Sequence, residues 1–270
     1  MDNRPIGIFD SGVGGLSAVR ALERMAPGES LAYFGDTARV PYGDREPADI
    51  LRLSLQDARF LRSLNIKALV IACNTITANA LPQLQALYPE LPVFGVIQPA
   101  AAAALRAGGS RIGVIATNAT VQSRVYESTI AAQAPLTTVR AVGCPKLVPL
   151  IEANHTAPED PLLQAALAEY LSPFLSSPVD TLILGCTHYP LIRDAVARFM
   201  GPSVSLIDSG AACVEGVLSA LDGADARAGT PRGTARYFCS GEKAAFLPVA
   251  DRFLGHSVSE CTESIDIEIY

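Results

Sequence analysis

Two cysteines of this chain stand in similar surroundings, each directly after a short apolar segment. Cys73 lies in LVIACNTITANAL at 69–81, and Cys186 lies in LILGCTHYPLIRD at 182–194. Taken singly, an unpaired cysteine is most often a small buried hydrophobic residue. Two thiols in matching positions, each followed by small hydrogen-bonding residues, instead indicate a pair that works together.

Such a pair can invert a carbon stereocentre, because one group removes a proton from one face and the other supplies a proton to the opposite face. A thiol titrates near pH ~8.5, so thiol and thiolate are both accessible near neutrality. His188, two residues after Cys186, can accept or return the proton of that cysteine. The charge of Asp10 disfavours a nearby thiolate, so we expect this residue to relay protons or to pair with a substrate ammonium group.

Two further motifs supply polar groups. The segment DSGVGG at 10–15 lets backbone N–H groups approach an anion at a helix N-terminus, although a tight strand-to-helix turn has the same composition. Ser17 stands where a dinucleotide-binding fingerprint needs a glycine. The loop PYGD at 41–44 is either a second binding loop or a surface turn. Hydroxyl and amide side chains near the motifs predict carboxylate binding without a buried arginine: Ser11, Asn74, Thr75, Thr117 and Thr120.

The composition excludes several other function classes. The chain has 270 residues, of which 49% are apolar and 18% are charged, and its formal net charge is −6. This charge provides no basic surface for nucleic acid. No apolar run approaches the ~20 residues of a membrane span, and the N-terminal sequence lacks the apolar region of a signal peptide. We therefore expect a cytoplasmic protein without membrane or nucleic-acid partners.

The six cysteines, at 73, 144, 186, 213, 239 and 261, include no C-x-x-C pair. This spacing argues against a zinc site and against thioredoxin-like redox chemistry. Reduced thiols are expected in a long chain without an export signal. We interpret Cys144, Cys213, Cys239 and Cys261 as small buried residues. No lysine falls in the four motifs, so no pyridoxal phosphate is predicted, and the cysteine spacing predicts no metal.

Short β-branched segments alternate with longer amphipathic segments, which predicts an open, doubly wound α/β architecture with mainly parallel sheets. Strands are predicted at 5–9, 31–35, 68–72, 92–96, 111–116, 138–142, 181–184, 203–207 and 235–239. Helices are predicted at 14–25, 47–64, 75–87, 99–107, 121–132, 147–153, 161–175, 191–199, 211–221 and 242–254. Ligands of such folds bind beyond the carboxyl ends of the strands, where all four motifs are expected.

An internal repeat indicates two related domains. RPIGIFDSGVGGLS at 4–17 is similar to RIGVIATNATVQS at 111–123, and the two cysteine segments are similar to each other. LIDSG at 206–210 resembles the first of these segments, which suggests that the chain returns to its starting domain. The sequence therefore predicts two similar, pseudo-symmetric α/β domains with the active site in the cleft between them. The first comprises residues 1–97 and 207–270, and the second comprises residues 98–206.

The motifs resemble those of the cofactor-independent aspartate/glutamate racemase superfamily, in particular of its members that act on glutamate. The resemblance spans nearly the whole chain. The segments that carry it are IGIFDSGVGGLS at 6–17, YFGDTARVPYG at 33–43, VIACNTITA at 70–78, GVIAT at 113–117, LVPLIE at 147–152, ILGCTHYPL at 183–191 and YFCSGEKAAFLPVADRFLG at 237–255.

The resemblance implies interconversion of L-glutamate and D-glutamate without a cofactor, which supplies D-glutamate for peptidoglycan, and it implies a homodimer. It implies two-base catalysis by Cys73 and Cys186, assisted by Asp10, His188 and Glu152. It also implies a set of substrate contacts: Asp10, Ser11, Pro41, Tyr42, Gly43, Cys73, Asn74, Thr75, Thr117, Thr120, Cys186, Thr187 and His188.

Three alternative functions stay open at this point. The substrate can be aspartate or another acidic amino acid, because pocket size is unreadable from the sequence. A cysteine hydrolase would use Cys186 or Cys73 as nucleophile and His188 as base, and would need only one thiol. A two-domain binding protein would hold an amino acid without exchanging its α-proton.

Overall fold

The computed structural model describes residues 1–270 and contains two sheets, in which every strand pair is parallel. The strands are β1 (Ile6–Asp10), β2 (Leu31–Gly35), β3 (Ala68–Ile71), β4 (Val93–Gly95), β5 (Arg111–Ala116), β6 (Thr138–Gly143), β7 (Thr181–Gly185), β8 (Ser205–Asp208), β9 (Ala235–Cys239) and β10 (Thr262–Ser264). The larger sheet has the order β10-β9-β2-β1-β3-β4, and the smaller sheet has the order β6-β5-β7-β8.

The helices are α1 (Leu16–Met25), α2 (Pro47–Ser63), α3 (Asn74–Leu87), α4 (Ile97–Arg106), α5 (Asn118–Ser123), α6 (Val125–Gln133), α7 (Leu147–Glu152), α8 (Pro161–Ser176), α9 (Arg193–Met200), α10 (Ser209–Gly223) and α11 (Lys243–Leu254). Short 3-10 helices occupy Tyr189–Ile192, Ser259–Cys261 and Ile267–Ile269. None of these helices combines the length and the apolar character that crossing a bilayer requires.

Side chains of the buried strands alternate between different apolar cores, as the two-residue repeat of a strand dictates. In β1, Ile8 belongs to a core that contains residues of both sheets, while Phe9 belongs to a core under α2 and α3. In β7, Ile183 belongs to the same core as Ile8, while Leu184 packs under α7, α8 and α9. We call the first of these the shared core. Apolar residues of α1, α4 and α10 complete it, and they join the two sheets.

The chain crosses between the sheets twice, once through α4 after β4 and once through α10 after β8. The position predicted for the second crossing, residue 207, falls inside β8, whose Ile207 pairs with Ile183 of the smaller sheet. The crossing therefore follows Asp208. This residue also starts α10, because its carboxylate accepts a hydrogen bond from the Ala211 N–H at 3.0 Å. The division of the chain into two domains stays a prediction.

The predicted α/β class with parallel sheets is confirmed, and each of the nine predicted strands lies within two residues of an observed one. Strand β10 was not predicted, because Thr262, Glu263 and Ser264 are polar and the strand forms a short edge of the sheet. The helix predicted at 121–132 is instead two helices, α5 and α6. They separate at Arg124, whose φ of 55° lies in the left-handed region.

A buried ion pair lies at the amino-terminal end of the larger sheet, just before β2 and β3. Lys67 Nζ lies 2.6 Å from Glu29 Oε2 and also donates to the carbonyls of Asp2 and Ala226. Glu29 Oε1 accepts a hydrogen bond from Arg227 Nε at 3.0 Å. The pair thus ties the N-terminus and the segment before β9 to the start of the central strands.

We expect Lys67→Met to lower the free energy of unfolding by about 3 kcal/mol, because Glu29 would stay buried without its ammonium partner. Lys146→Met removes an equally short but exposed pair with Glu169, at 2.6 Å, and should lower the free energy of unfolding far less, because water and salt screen this pair. Urea denaturation followed by circular dichroism at pH 7 measures both. Equal losses in the two variants would contradict a structural role for the buried pair.

Candidate active site

One cavity of about 310 Å³ lies beyond the carboxyl ends of strands from both sheets. Cys73 follows β3 of the larger sheet, and Cys186 follows β7 of the smaller sheet. Twelve of the predicted site residues line the cavity: Ser11, Pro41, Tyr42, Gly43, Cys73, Asn74, Thr75, Thr117, Glu152, Cys186, Thr187 and His188. No lysine or arginine is among the lining residues. Groups far apart in the sequence therefore meet in one pocket whose lining includes neither lysine nor arginine.

Asp10 and Thr120 are the two predicted site residues that do not line this cavity. Asp10, at the end of β1, is 1% exposed, and its carboxylate accepts hydrogen bonds from the Gly12 N–H and the Thr187 hydroxyl. Burial raises the pKa of Asp10 above its ordinary value. Thr120 is also buried and contacts the Thr75 hydroxyl at 3.4 Å. Both residues thus reach the cavity through neighbouring side chains.

Cys73 is the N-cap residue of α3, so the end of an apolar strand and the start of a helix place its thiol in the cavity wall. Its Sγ lies 3.4 Å from the Ser11 hydroxyl. Burial, together with the nearby Asp10 carboxylate, raises the pKa of Cys73 to about 12. At neutral pH this group is therefore a thiol.

Cys186 belongs to a hydrogen-bonded chain with His188 and Glu152. Cys186 Sγ lies 3.9 Å from His188 Nδ1, and His188 Nε2 lies 3.0 Å from Glu152 Oε1. Burial disfavours the imidazolium, but the hydrogen bonds to Cys186 and Glu152 outweigh it and raise the pKa of His188 to about 10. The hydrogen bond between His188 and Glu152 also lowers the pKa of Glu152. His188 is therefore protonated at neutral pH, so Cys186 has a cationic neighbour whereas Cys73 has a carboxylate.

Threonine hydroxyls from two helices meet at another wall of the cavity. Thr75, in the first turn of α3, lies 2.9 Å from the hydroxyl of Thr117, the N-cap residue of α5. Thr117 lies 3.0 Å from the Thr120 hydroxyl. On the same side, Gly43 in the predicted binding loop accepts a hydrogen bond from the Ala119 N–H at 3.2 Å. Hydroxyl groups of this kind can donate to a substrate carboxylate without placing a full charge in the pocket.

The glycine-rich segment after β1 allows a close approach between the two cysteine-bearing parts of the chain. A Cβ on Gly14 would overlap the Thr187 hydroxyl and would lie 2.5 Å from His188 Nδ1. A Cβ on Gly15 would lie 2.6 Å from the Cβ of Asp10. Small size is thus needed here so that the segment of Cys186 can pack against the segment of Asp10.

Gly12 and Asp44, which belong to the two predicted binding loops, also line the cavity. Seven further lining residues have no role predicted from the sequence: Val40, Asn118, Cys144, Pro145, Val148, Pro149 and Gly185. Cys144 is the one thiol among them. It is buried, as predicted, and burial raises its pKa to about 12, yet it also lines the cavity. Its position directly after β6 matches the strand-end positions of the two other thiols, and this is the signal that could have identified it.

A profile of the Asp/Glu/hydantoin racemase family matches residues 6–217. The chain belongs to this family. A glutamate racemase of Streptococcus gordonii is 42% identical over 270 residues, which cover 99% of this chain and 100% of that protein. A glutamate racemase of Lactiplantibacillus plantarum is 44% identical over 253 residues, which cover 93% of this chain and 92% of the relative. The resemblance drawn from the sequence motifs is therefore confirmed.

The fold of this racemase also agrees with solved structures of the family. The glutamate racemase of Francisella tularensis in complex with D-glutamate superposes with a TM-score of 0.93 at 34% identity, covering all of both chains. This likeness confirms the α/β architecture. Together with the family match, it identifies the protein as an isomerase that acts as an amino-acid racemase.

Replacing Gly14 with alanine should reduce racemase activity at least about tenfold, because the added methyl group displaces Thr187 and His188. Gly216→Ala is the matched control, since its nearest neighbour would be a Pro99 carbon at 3.8 Å, an ordinary contact. Steady-state kinetics of the two purified variants measures the effect. Comparable activity in both variants would show that the space beside Gly14 is not needed.

Protonation of His188 should stabilise the folded racemase in a defined pH range. Its folded-state pKa of about 10 lies above the ordinary value, so this stabilisation is complete below pH ~6.5 and is lost as the pH rises towards about 10. The difference in unfolding free energy between the wild type and His188→Gln should therefore shrink from pH 6 to pH 9.5. Urea denaturation in the presence of a reductant measures it. A difference that grows with pH would refute the raised pKa.

Proposed function

We propose that this racemase interconverts L-glutamate and D-glutamate by proton transfer between the α-carbon and two thiols, Cys73 and Cys186, without a cofactor. The observation that carries this proposal is a single cavity in which Cys73, after β3 of the larger sheet, and Cys186, after β7 of the smaller sheet, both lie in the wall. Glutamate is favoured as substrate because the relatives described above are glutamate racemases and one of them holds D-glutamate.

The two thiols start in different protonation states in this mechanism. In the direction that starts from Cys186, this residue acts as the thiolate, with His188 Nδ1 at 3.9 Å from its sulfur, while burial beside Asp10 keeps Cys73 protonated. The thiolate forms an S–H bond with the α-proton while the electron pair of the broken C–H bond stays on the α-carbon. The S–H bond of Cys73 then breaks and its proton bonds to the opposite face of that carbon. The enantiomer leaves with the thiolate at Cys73, and the reverse reaction starts from this state.

The remaining predicted residues hold the substrate or adjust the thiols. The hydroxyls of Ser11, Thr75, Thr117 and Thr187 line the cavity and are suited to hydrogen-bond the two carboxylates. The loop of Pro41, Tyr42 and Gly43 and the side chain of Asn74 complete the wall, and Thr120 supports the threonine cluster. Asp10 lies behind the wall, so we assign it a proton-relay role through the Thr187 hydroxyl. Glu152 keeps His188 oriented and protonated.

We further propose that the enzyme is a cytoplasmic homodimer that supplies D-glutamate for peptidoglycan and cell shape. We also propose two domains, with the boundary predicted at residue 207 moved to the end of β8: residues 1–97 with 209–270, and residues 98–208. The family resemblance supports the assembly and the biological role. Sedimentation velocity tests the dimer, and rescue of a bacterium that requires D-glutamate tests the role.

Incubation of the enzyme with L-glutamate or D-glutamate in D₂O tests the reaction. We expect the circular dichroism signal of the substrate to decay to zero and deuterium to appear at the α-carbon, without added cofactor. Cys73→Ser and Cys186→Ser should each lower kcat by ~10²–10⁴-fold, since each removes one of two acid–base groups. Cys213→Ser, which changes a buried thiol bonded to the Gly95 carbonyl, is the matched control and should keep wild-type activity.

Several outcomes would contradict the proposal in different ways. Wild-type activity in either serine variant at 73 or 186 would exclude the two-thiol mechanism, and a requirement for pyridoxal phosphate would exclude the cofactor-free one. Racemisation of aspartate in preference to glutamate would correct the substrate. A covalent intermediate on only one essential thiol would identify a hydrolase, and binding without α-proton exchange would identify a binding protein.

A further inference from the structure

A chain of hydrogen bonds runs behind the cavity and contains no solvent-exposed member. The Tyr126 hydroxyl of α6 donates to Asn74 Oδ1 at 2.7 Å, and Asn74 Nδ2 donates to the Ser209 hydroxyl at 3.2 Å. Ser209 in turn donates to the backbone carbonyl of Leu184 at 3.0 Å. Tyr126, Asn74 and Ser209 are each at most 2% exposed. We call these four residues the asparagine bridge.

Only one orientation of the groups satisfies the asparagine bridge. The Leu184 carbonyl can only accept, so it takes the single proton of the Ser209 hydroxyl. The Ser209 oxygen must then accept from Asn74, which has to turn its NH₂ group towards the serine. Asn74 Oδ1 therefore faces Tyr126, whose hydroxyl must donate. Loss of either hydroxyl therefore removes one hydrogen-bond partner from the side chain of Asn74, which is 2% exposed.

The asparagine bridge connects the two segments that carry the thiols. Asn74 directly follows Cys73 and is the first residue of α3. Leu184 lies in β7, two residues before Cys186. The two hydroxyl groups of the asparagine bridge come from other elements, because Tyr126 lies in α6 and Ser209 is the first residue of α10. The bridge thus fixes an element that follows the larger sheet against a strand of the smaller sheet.

We propose that Tyr126 and Ser209 are positioning residues that hold the segments of Cys73 and Cys186 at a fixed separation. Neither residue lines the cavity, so each acts through Asn74 rather than on the substrate. This inference rests on the proposed two-thiol reaction. In that reaction one thiol removes the α-proton and the other delivers a proton to the opposite face before the substrate dissociates. A small displacement of one thiol slows the second transfer far more than it weakens substrate binding.

Tyr126→Phe and Ser209→Ala test the proposal, because each removes one hydroxyl and changes little volume. We expect kcat for glutamate to fall about tenfold in both directions while KM stays within about twofold. In D₂O, we also measure how much deuterium appears in the starting enantiomer for each molecule that is inverted. This ratio should rise at least about threefold, because a misplaced second thiol gives the first thiol time to return a solvent-derived deuteron to the same face.

Matched controls separate this role from a general loss of packing. Tyr237→Phe removes a buried hydroxyl bonded to Glu23, and Ser54→Ala removes a buried hydroxyl bonded to the Ile50 carbonyl. Both controls should keep wild-type kcat and the wild-type ratio of deuterium to inversion. If Tyr126→Phe and Ser209→Ala match these controls while the wild type racemises glutamate, the positioning role is wrong and the proposed function stands.

Hydrogen–deuterium exchange of the substrate-free protein gives a readout that does not depend on activity. Peptides covering 73–79 and 184–189 should exchange faster in Tyr126→Phe and in Ser209→Ala than in either control. If the wild type racemises no amino acid, the proposed function fails, and this exchange still decides whether the bridge holds the two segments. Unchanged exchange in both peptides would overturn the inference.

Discussion

The arrangement of the whole molecule depends on one apolar core that both sheets share. Ile8 and Val70 face it from the larger sheet, and Val114 and Ile183 face it from the smaller sheet. Interiors of this kind are close-packed, so one sheet cannot move relative to the other without losing contacts on both sides. The shared core therefore determines where the carboxyl ends of the two sheets meet, and the cavity that contains Cys73 and Cys186 lies at that meeting point.

The two thiols have different charged neighbours because they lie at the ends of strands from different sheets. Asp10 is the last residue of β1 and Cys73 follows the neighbouring strand β3, so a carboxylate lies near this thiol. Cys186 has His188 and Glu152 around it, and Glu152 ends helix α7 of the other part of the chain. The pocket contains no lysine or arginine, so its contacts with an acidic substrate depend on neutral donors and on one imidazolium. These neighbouring groups therefore matter more for substrate binding than the net charge of −6 of the whole chain.

Much of the fold and of the site follows from local sequence patterns. The apolar run at 68–71 and the polar residues after it predict both a buried strand and the position of Cys73 at its end. The polar edge strand β10 and the break at Arg124 leave no such pattern, because tertiary pairing and a single left-handed residue decide them. The link from Tyr126 to Asn74 spans 52 residues, and a hydrogen bond of that separation has no periodic signature. The position of Asp10 behind the wall likewise depends on packing against Thr187.

The placement of β9 between β2 and β10 has a consequence for the order in which the protein forms during synthesis. All four strands of the smaller sheet leave the ribosome before β9 does, because they end at Asp208 and β9 begins at Ala235. Until then β2 is an open edge that can pair only with a strand some 200 residues later in the chain, from Leu31 to Ala235. Contacts of this sequence separation form late and leave unpaired strand edges exposed meanwhile. The nascent chain therefore exposes this edge of β2 to edge-to-edge aggregation until β9 has been translated.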